Sequence, residues 1–283
     1  MNGKITFEEE MKDMKKTNVF LGLLFVLILL VGCGNQEIKE EEKEPQYADK
    51  VFIEDMSKGL QARWDLNSKD EQKEGYDEIP AQSDENKKMM LSYINAELDI
   101  IGKYKDEKFE DSKLQELAIK YINLLNQHKE ACDYITVDYE KYDEEFQPIY
   151  NERSNVIKTM VEDYGMKVEE KHQGTLDDFL TNSKLVSEQK AKEEEIDKML
   201  SNIQFKETER SDEWGTYQAV VENTTDIDFK TFNVNINLLD KDGVIVETAY
   251  DNVSAFSKGA KVRFEFTTDK KFDSTQVIAD WWE

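Results

Sequence analysis

The chain has 283 residues, with 62 Asp and Glu against 37 Lys and Arg and a formal net charge of -25. Such an acidic surface repels nucleic acid and anionic lipid headgroups, which argues against both as partners. High charge with only 3 Pro and 12 Gly favours long solvated helices over disorder, and the length leaves room for two modest domains.

Taken from its start, the chain opens on MNGKITFEEEMKD, acidic where an export signal should be basic. Lys15 and Lys16 then precede an apolar run from Val19 to Val31, which meets Gly32 and Cys33. A basic n-region, a short apolar core and small residues before a cleavage point are the marks of a secretory signal. The run falls short of the roughly 20 apolar residues that a bilayer span needs. Leu30-Val31-Gly32-Cys33 resembles the lipobox of bacterial lipoproteins. That resemblance implies a diacylglyceryl group on the Cys33 sulfur and cleavage that makes Cys33 the mature N-terminus. Residues 1–32 are therefore expected to be a signal peptide whose translation starts at Met14. Two acyl chains on Cys33 would hold the protein at the extracytoplasmic face of the cell membrane, where one chain alone anchors only marginally. Residues 33–46, GNQEIKEEEKEPQ after the cysteine, lack any apolar face and read as a flexible acidic tether.

From Tyr47 to about Asn202 the pattern is helical. Phe52, Met56 and Leu60 mark a first helix, and Asn67–Pro80 reads as a loop after it. Ser83 is placed to cap a second helix whose Leu91, Ile94, Leu98 and Ile101 share one face. Leu114, Ala118, Tyr121, Leu125, His128, Cys132, Ile135, Tyr139 and Tyr142 then step by four and three, the heptad period of a packed seam. This spacing predicts one helix over 111–145, about 50 Å long, that Pro148 ends or kinks. Phe146, Ile149, Val156, Met160 and Tyr164 carry a similar face to a stop at Gly165. A last helix is expected from a Thr175 cap through Phe179, Leu180 and Leu185 to Leu200. Together these predict an elongated antiparallel helical bundle over 47–202.

Near Ile203 the period changes to two. Phe232, Val234, Ile236 and Leu238 alternate with Asn233, Asn235 and Asn237, and Val262, Phe264 and Phe266 alternate with charged residues. Asp240-Lys241-Asp242-Gly243 is an Asp-Gly hairpin signal. Strands are predicted near 204–209, 216–223, 229–239, 244–250, 260–268 and 275–282, a small antiparallel sandwich over 203–283. Ala219–Asn223 (AVVEN), Phe232–Gly243 (FNVNINLLDKDG) and Ser257-Lys258-Gly259 before Val262–Phe266 resemble the FxLYD-type Ig-like domain of Gram-positive lipoproteins. Ile236-Asn237-Leu238-Leu239-Asp240 stands where the name motif would be, keeping an inward apolar residue at 236. The resemblance covers under a third of the chain and carries no catalytic residue. The expected fold class is thus α+β multidomain, a helical bundle followed by an Ig-like β-sandwich.

Few residues offer chemistry. His128 and Cys132, four apart on one helical face, could form a nucleophile or metal pair, but both sit on the seam, where they read as packing residues. His172 lies in VEEKHQG and reads as a surface residue. Asp240–Gly243 lacks the remaining ligands of a calcium loop. Asn223-Thr224-Thr225 and Asn252-Val253-Ser254 match a glycosylation sequon, which a lipobox-bearing bacterial chain has no use for. No phosphate-binding Gly loop, HExxH, CxxC or GxSxG is present. Tyr139 and Tyr142, among the carboxylates of Asp138–Glu145, and the terminal Trp281 and Trp282 form the candidate contact surface. The sequence predicts a membrane-anchored, non-enzymatic binding module of the cell envelope that needs no cofactor and no metal. Its partner would be an envelope protein or a cell-wall component. The alternative is an accessory cell-wall enzyme or inhibitor acting through the Tyr/acidic helix face.

Overall fold

The computed structural model describes residues 47–283. The signal, the Cys33 lipobox and the acidic tether lie outside the described residues. Five α-helices come first: α1 Asp49–Glu71, α2 Asp84–Ile101, α3 Ser112–Ala131, α4 Tyr139–Glu162 and α5 Gln173–Leu200. Six strands follow: β1 Lys206–Ser211, β2 Trp214–Glu222, β3 Phe229–Leu239, β4 Ile245–Phe256, β5 Lys261–Thr268 and β6 Ser274–Trp282. The class is α+β. Among the described helices none is long and apolar enough to cross a membrane.

The helical part differs from expectation at its terminators. The first helix runs on to Glu71, so the connecting segment begins at Gln72 rather than Asn67. Ser83 caps α2 by accepting from the Asn86 N–H at 3.1 Å. The single helix predicted over 111–145 is two helices, broken between Ala131 and Tyr139. Ile135-Thr136-Val137 is a β-branched run that resists helical rotamers, and Asp138 restarts the chain by accepting from the Lys141 N–H at 3.1 Å. Pro148 does not end α4; it sits inside it. Gly165, at φ +67, does stop the chain after α4, with the Met166 N–H bonded back to the Met160 carbonyl at 2.9 Å. Thr175 caps nothing, because α5 already begins at Gln173.

The predicted seam is filled. Leu114, Ala118, Tyr121, Leu125, His128, Cys132 and Ile135 are all buried, as are Phe52, Met56, Leu60, Ile94 and Ile101. Leu91 and Leu98 are half-buried beside them. This first core ends on α5 at Leu176, Phe179 and Leu180. Leu185, expected on the buried face, is 59% exposed.

The strands form two antiparallel three-stranded sheets, ordered β1-β2-β5 and β4-β3-β6. Alternation puts Phe232, Val234, Ile236 and Leu238 of β3 into a second core with Val221, Phe264 and Phe266 of the other sheet. Ile196, Met199 and Leu200 at the end of α5 belong to this second core. The β3–β4 connection is the expected hairpin: Asp240 Oδ1 accepts the N–H of Asp242 and Val244 at 2.9 Å, and Gly243 takes φ +78. Asn223, the first residue of one sequon, is buried and donates to the carbonyls of Ile227 and Phe256 at 2.8 and 2.9 Å.

Because Asp138 alone supplies the restart signal for α4, Asp138→Ala should lower stability by about 1 kcal/mol. Urea unfolding of the variant beside the parent measures the loss, and an unchanged midpoint would show the cap to be dispensable.

Candidate functional site

Tyr139 and Tyr142 open an aromatic column. On α4 the rings at 139, 142, 146 and 150 step by three and four, so they stack along one face. Ring centroids lie 5.4 Å apart for Tyr139–Tyr142, 5.7 Å for Tyr142–Phe146 and 5.8 Å for Phe146–Tyr150. Phe179 of α5 and Trp64 of α1 continue the column at 5.1 and 5.9 Å. The tyrosine face is therefore largely internal; Tyr142 is buried and Tyr139 half-buried.

The column surfaces at one end, in a cleft of about 320 Å³. Tyr139 and Tyr142 meet Asn86, Met89 and Met90 of α2, and Tyr76 and Ile79 of the segment before it. Asp77 also lines the cleft, whereas Asp138, its carboxylate occupied by the helix cap, does not. Rings and thioethers make adaptable apolar walls, with Asp77 and Asn86 as polar points, while the Tyr142 hydroxyl turns inward to His128. Sequence reading paired the two tyrosines with the wrong surroundings, since neighbouring acidic side chains point to solvent and the real partners come from α2. Met89-Met90, just inside a capped helix, was the available signal.

His128 and Cys132 do not form a reactive pair. Both are fully buried. Burial, with the Arg63 and Arg153 charges nearby, pulls the His128 imidazole down to about 2. Burial pushes the Cys132 thiol up to about 11, so neither a thiolate nor an imidazolium is available at neutral pH. His128 Nε2 instead lies 3.3 Å from the Tyr142 hydroxyl, and its ring packs 4.7 Å from Phe146. His172, expected on the surface, is buried: its ring packs 5.5 Å from Trp64 and its Nε2 lies 3.0 Å from Asp65 Oδ1. The 3-10 turn at Glu170–His172, just before α5, brings this residue against α1.

Beneath the column lies a charged cluster that sequence reading missed. Glu97 accepts from Arg153 Nη2 at 3.0 Å, from the Tyr121 hydroxyl at 2.5 Å and from Arg63 Nη1 at 3.3 Å. Arg153 Nη2 also donates to the Tyr121 oxygen at 2.9 Å. Glu97 and Tyr121 are fully buried and Arg153 nearly so. Burial by itself would lower the Arg153 guanidinium, but Tyr121 and Glu97 outweigh it and raise it above the usual arginine range. The visible signal was a charge on an apolar stripe: Glu97 follows Ile94 by three, and Arg153 follows Ile149 by four.

Trp281 and Trp282, both read as contact surface, divide: one is exposed and the other packs on the core. A bulge in the β3–β6 pairing, between Asn233 and Val234, sets Val234 opposite Ala279 but Phe232 opposite Trp282. Trp282 thus turns inward, its ring 5.9 Å from Phe229, while Trp281 is 50% exposed. Comparison with protein-family models, curated proteins and solved structures finds no match for the chain.

Two outcomes test this description. Glu97→Gln leaves two arginines facing an uncharged amide and should cost about 3–5 kcal/mol in urea unfolding, with Glu97→Met, Arg153→Met and Arg63→Met together recovering much of it. His128 is neutral when folded down to about pH 2, while unfolded it binds a proton below 6.5. The unfolded state then holds the extra proton, so stability must fall as pH drops below 6.5. Replacing His128 with Phe should flatten the unfolding midpoint against pH over the upper part of that window; an unchanged slope would place the titrating group elsewhere.

Proposed function

We propose that the protein is a membrane-anchored extracytoplasmic lipoprotein that serves as a non-enzymatic binding module of the bacterial cell envelope. In this reading Cys33 carries the lipid, residues 34–46 form the tether, and residues 47–202 form an antiparallel helical bundle. Residues 203–283 form an Ig-like sandwich of FxLYD type. Two sheets sharing one core, with β2–β3, β4–β5 and β5–β6 each changing sheet, support the Ig-like assignment. The basic residues, apolar run and lipobox support the anchor.

The observation that carries the binding role is the aromatic cleft. Tyr76, Tyr139 and Tyr142 with Met89 and Met90 offer a concave surface of rings and thioethers, edged by Asp77 and Asn86. Such a cleft suits an envelope protein or a cell-wall component better than a charged polymer. The same cleft favours a second reading, an accessory cell-wall enzyme or inhibitor acting through the Tyr/acidic face, since the tyrosines sit in a concavity rather than on a convex flank.

Cells producing the parent chain and Cys33→Ala should differ in location: the parent labels with a palmitate analogue and stays with membranes, and the variant does neither. Retention of Cys33→Ala in the membrane fraction would overturn the anchor. Affinity capture from envelope extracts with the parent, but not with Tyr139→Ala, supports the cleft. A wall-hydrolase activity that changes on adding the chain, and no longer changes with Tyr139→Ala, would favour the second reading.

A further inference from the structure

The outward face of the β4-β3-β6 sheet is unlike the rest of the surface. Strand register sets three rows of three residues there. Thr248, Asn237 and Gln276 make the first row, and Tyr250, Asn235 and Ile278 the second. Asn252, Asn233 and Trp281 make the third. None of these side chains is charged, in a chain whose residues are 35% charged. The outward face of the other sheet shows the contrast: Lys261 pairs with Glu222 at 3.2 Å, with Arg263 and Glu265 further along the same strand. A merely solvated face in this protein is a charged one.

The uncharged face combines two kinds of group. Tyr250 is 72% exposed and Trp281 50% exposed, on opposite edges of the sheet. Two strand spacings and one row put them about 12 Å apart on a diagonal. The asparagine ladder of β3 runs between them. Asn237 is tied up, accepting from Thr248 and donating to Gln276 at 2.8 and 3.4 Å. Asn235 donates to Asp280 at 3.0 Å and its Oδ1 is buried, which leaves Asn233 and Asn252 of the third row as the amides open to a ligand. The bulge that turns Trp282 inward is what leaves Trp281 on this face.

We propose that the Tyr250–Asn235–Trp281 face binds a neutral glycan chain, the two rings stacking on sugar faces and the amides of Asn233 and Asn252 bonding hydroxyl groups. The proposal names a ligand class for the binding-module reading, on which it rests. Charge selects the occupant. A polycation would find only Asp280 beside these rows, and a polyanion would be repelled by the net charge of -25. An uncharged, polyhydroxylated chain meets neither penalty. Aromatic rings carry a negative face that attracts the polarised C–H side of a pyranose, and primary amides both donate and accept, as hydroxyls do. Rings this far apart suit an oligosaccharide rather than a single sugar.

The test is titration of the full chain in detergent with β-1,4-linked N-acetylglucosamine oligomers and with glucose oligomers, read by tryptophan fluorescence and calorimetry. Saturable binding of either by the parent is expected, insensitive to added salt because no charge pair forms. Trp281→Ala and Tyr250→Ala should each weaken it by roughly tenfold or more. Both side chains are exposed, so circular dichroism and the unfolding midpoint should match the parent. Asn235→Asp, which sets a second carboxylate beside Asp280, should weaken binding without removing a ring. Failure of both oligomers to bind overturns the proposal, as does binding unaffected by all three variants. Sugar binding lost only in Tyr139→Ala would move the site to the helical cleft, overturning this inference while leaving the binding-module reading standing. No sugar binding and no envelope partner captured would remove both.

Discussion

Glu97 accepts hydrogen bonds from side chains of α1, α3 and α4 while standing on α2, so one buried carboxylate joins four of the five helices. A charge taken out of water costs several kcal/mol, and only well-placed partners offset it. Arg153 and Tyr121 are placed that way, and Arg63 reaches in from a half-buried position. Hydrophobic packing would tolerate several small slips of one helix along another; this cluster does not, because a slip would strand an ion in the core. The register of the helices, and with it the meeting of α2 and α4 at the cleft, follows from that constraint.

The aromatic column uses the same faces for a different end. Its rings run from the cleft at Tyr139 down to Trp64 and His172, passing Phe146 against His128 on the way. Packed aromatic rings lose little conformational freedom on contact with a ligand, because they have already surrendered it in folding. The cleft is therefore backed by a rigid wall on the α4 side and by two flexible methionines on the α2 side. The sheet face offers a second and separate surface, flat rather than concave, whose character comes from asparagine amides rather than thioethers.

Much of the fold was legible because the hydrophobic period changes cleanly from helical to alternating near Ile203. Five of the six strands were placed within two residues at each end, since the burial of residues such as Phe232, Val234, Ile236 and Leu238 against their polar neighbours leaves one register open. The exception is β4, which was expected to end at 250 and runs on to Phe256. The heptad seam was right about burial and wrong about continuity, because period alone does not report a local stop; Ile135-Thr136-Val137 and Asp138 did. His172 was misjudged because its neighbours in sequence are charged, whereas its burial comes from Trp64, more than a hundred residues away. Glu97 and Arg153 drew no reading for the reverse reason: each lies beside an apolar stripe, and the period of one helix does not show a partner on another. For the contact surface, the tyrosines and tryptophans could be named, but what surrounds them is tertiary.

The last helix is held at both ends by different cores. Phe179 is packed in the first and Ile196 in the second, and residues 187–195 between them are exposed on every side. Seventeen helical steps amount to about 25 Å. The strands are thus joined to the first core by one unbroken helix, so the path from the sheets to the aromatic rings around Trp64 runs along a single ladder of backbone hydrogen bonds.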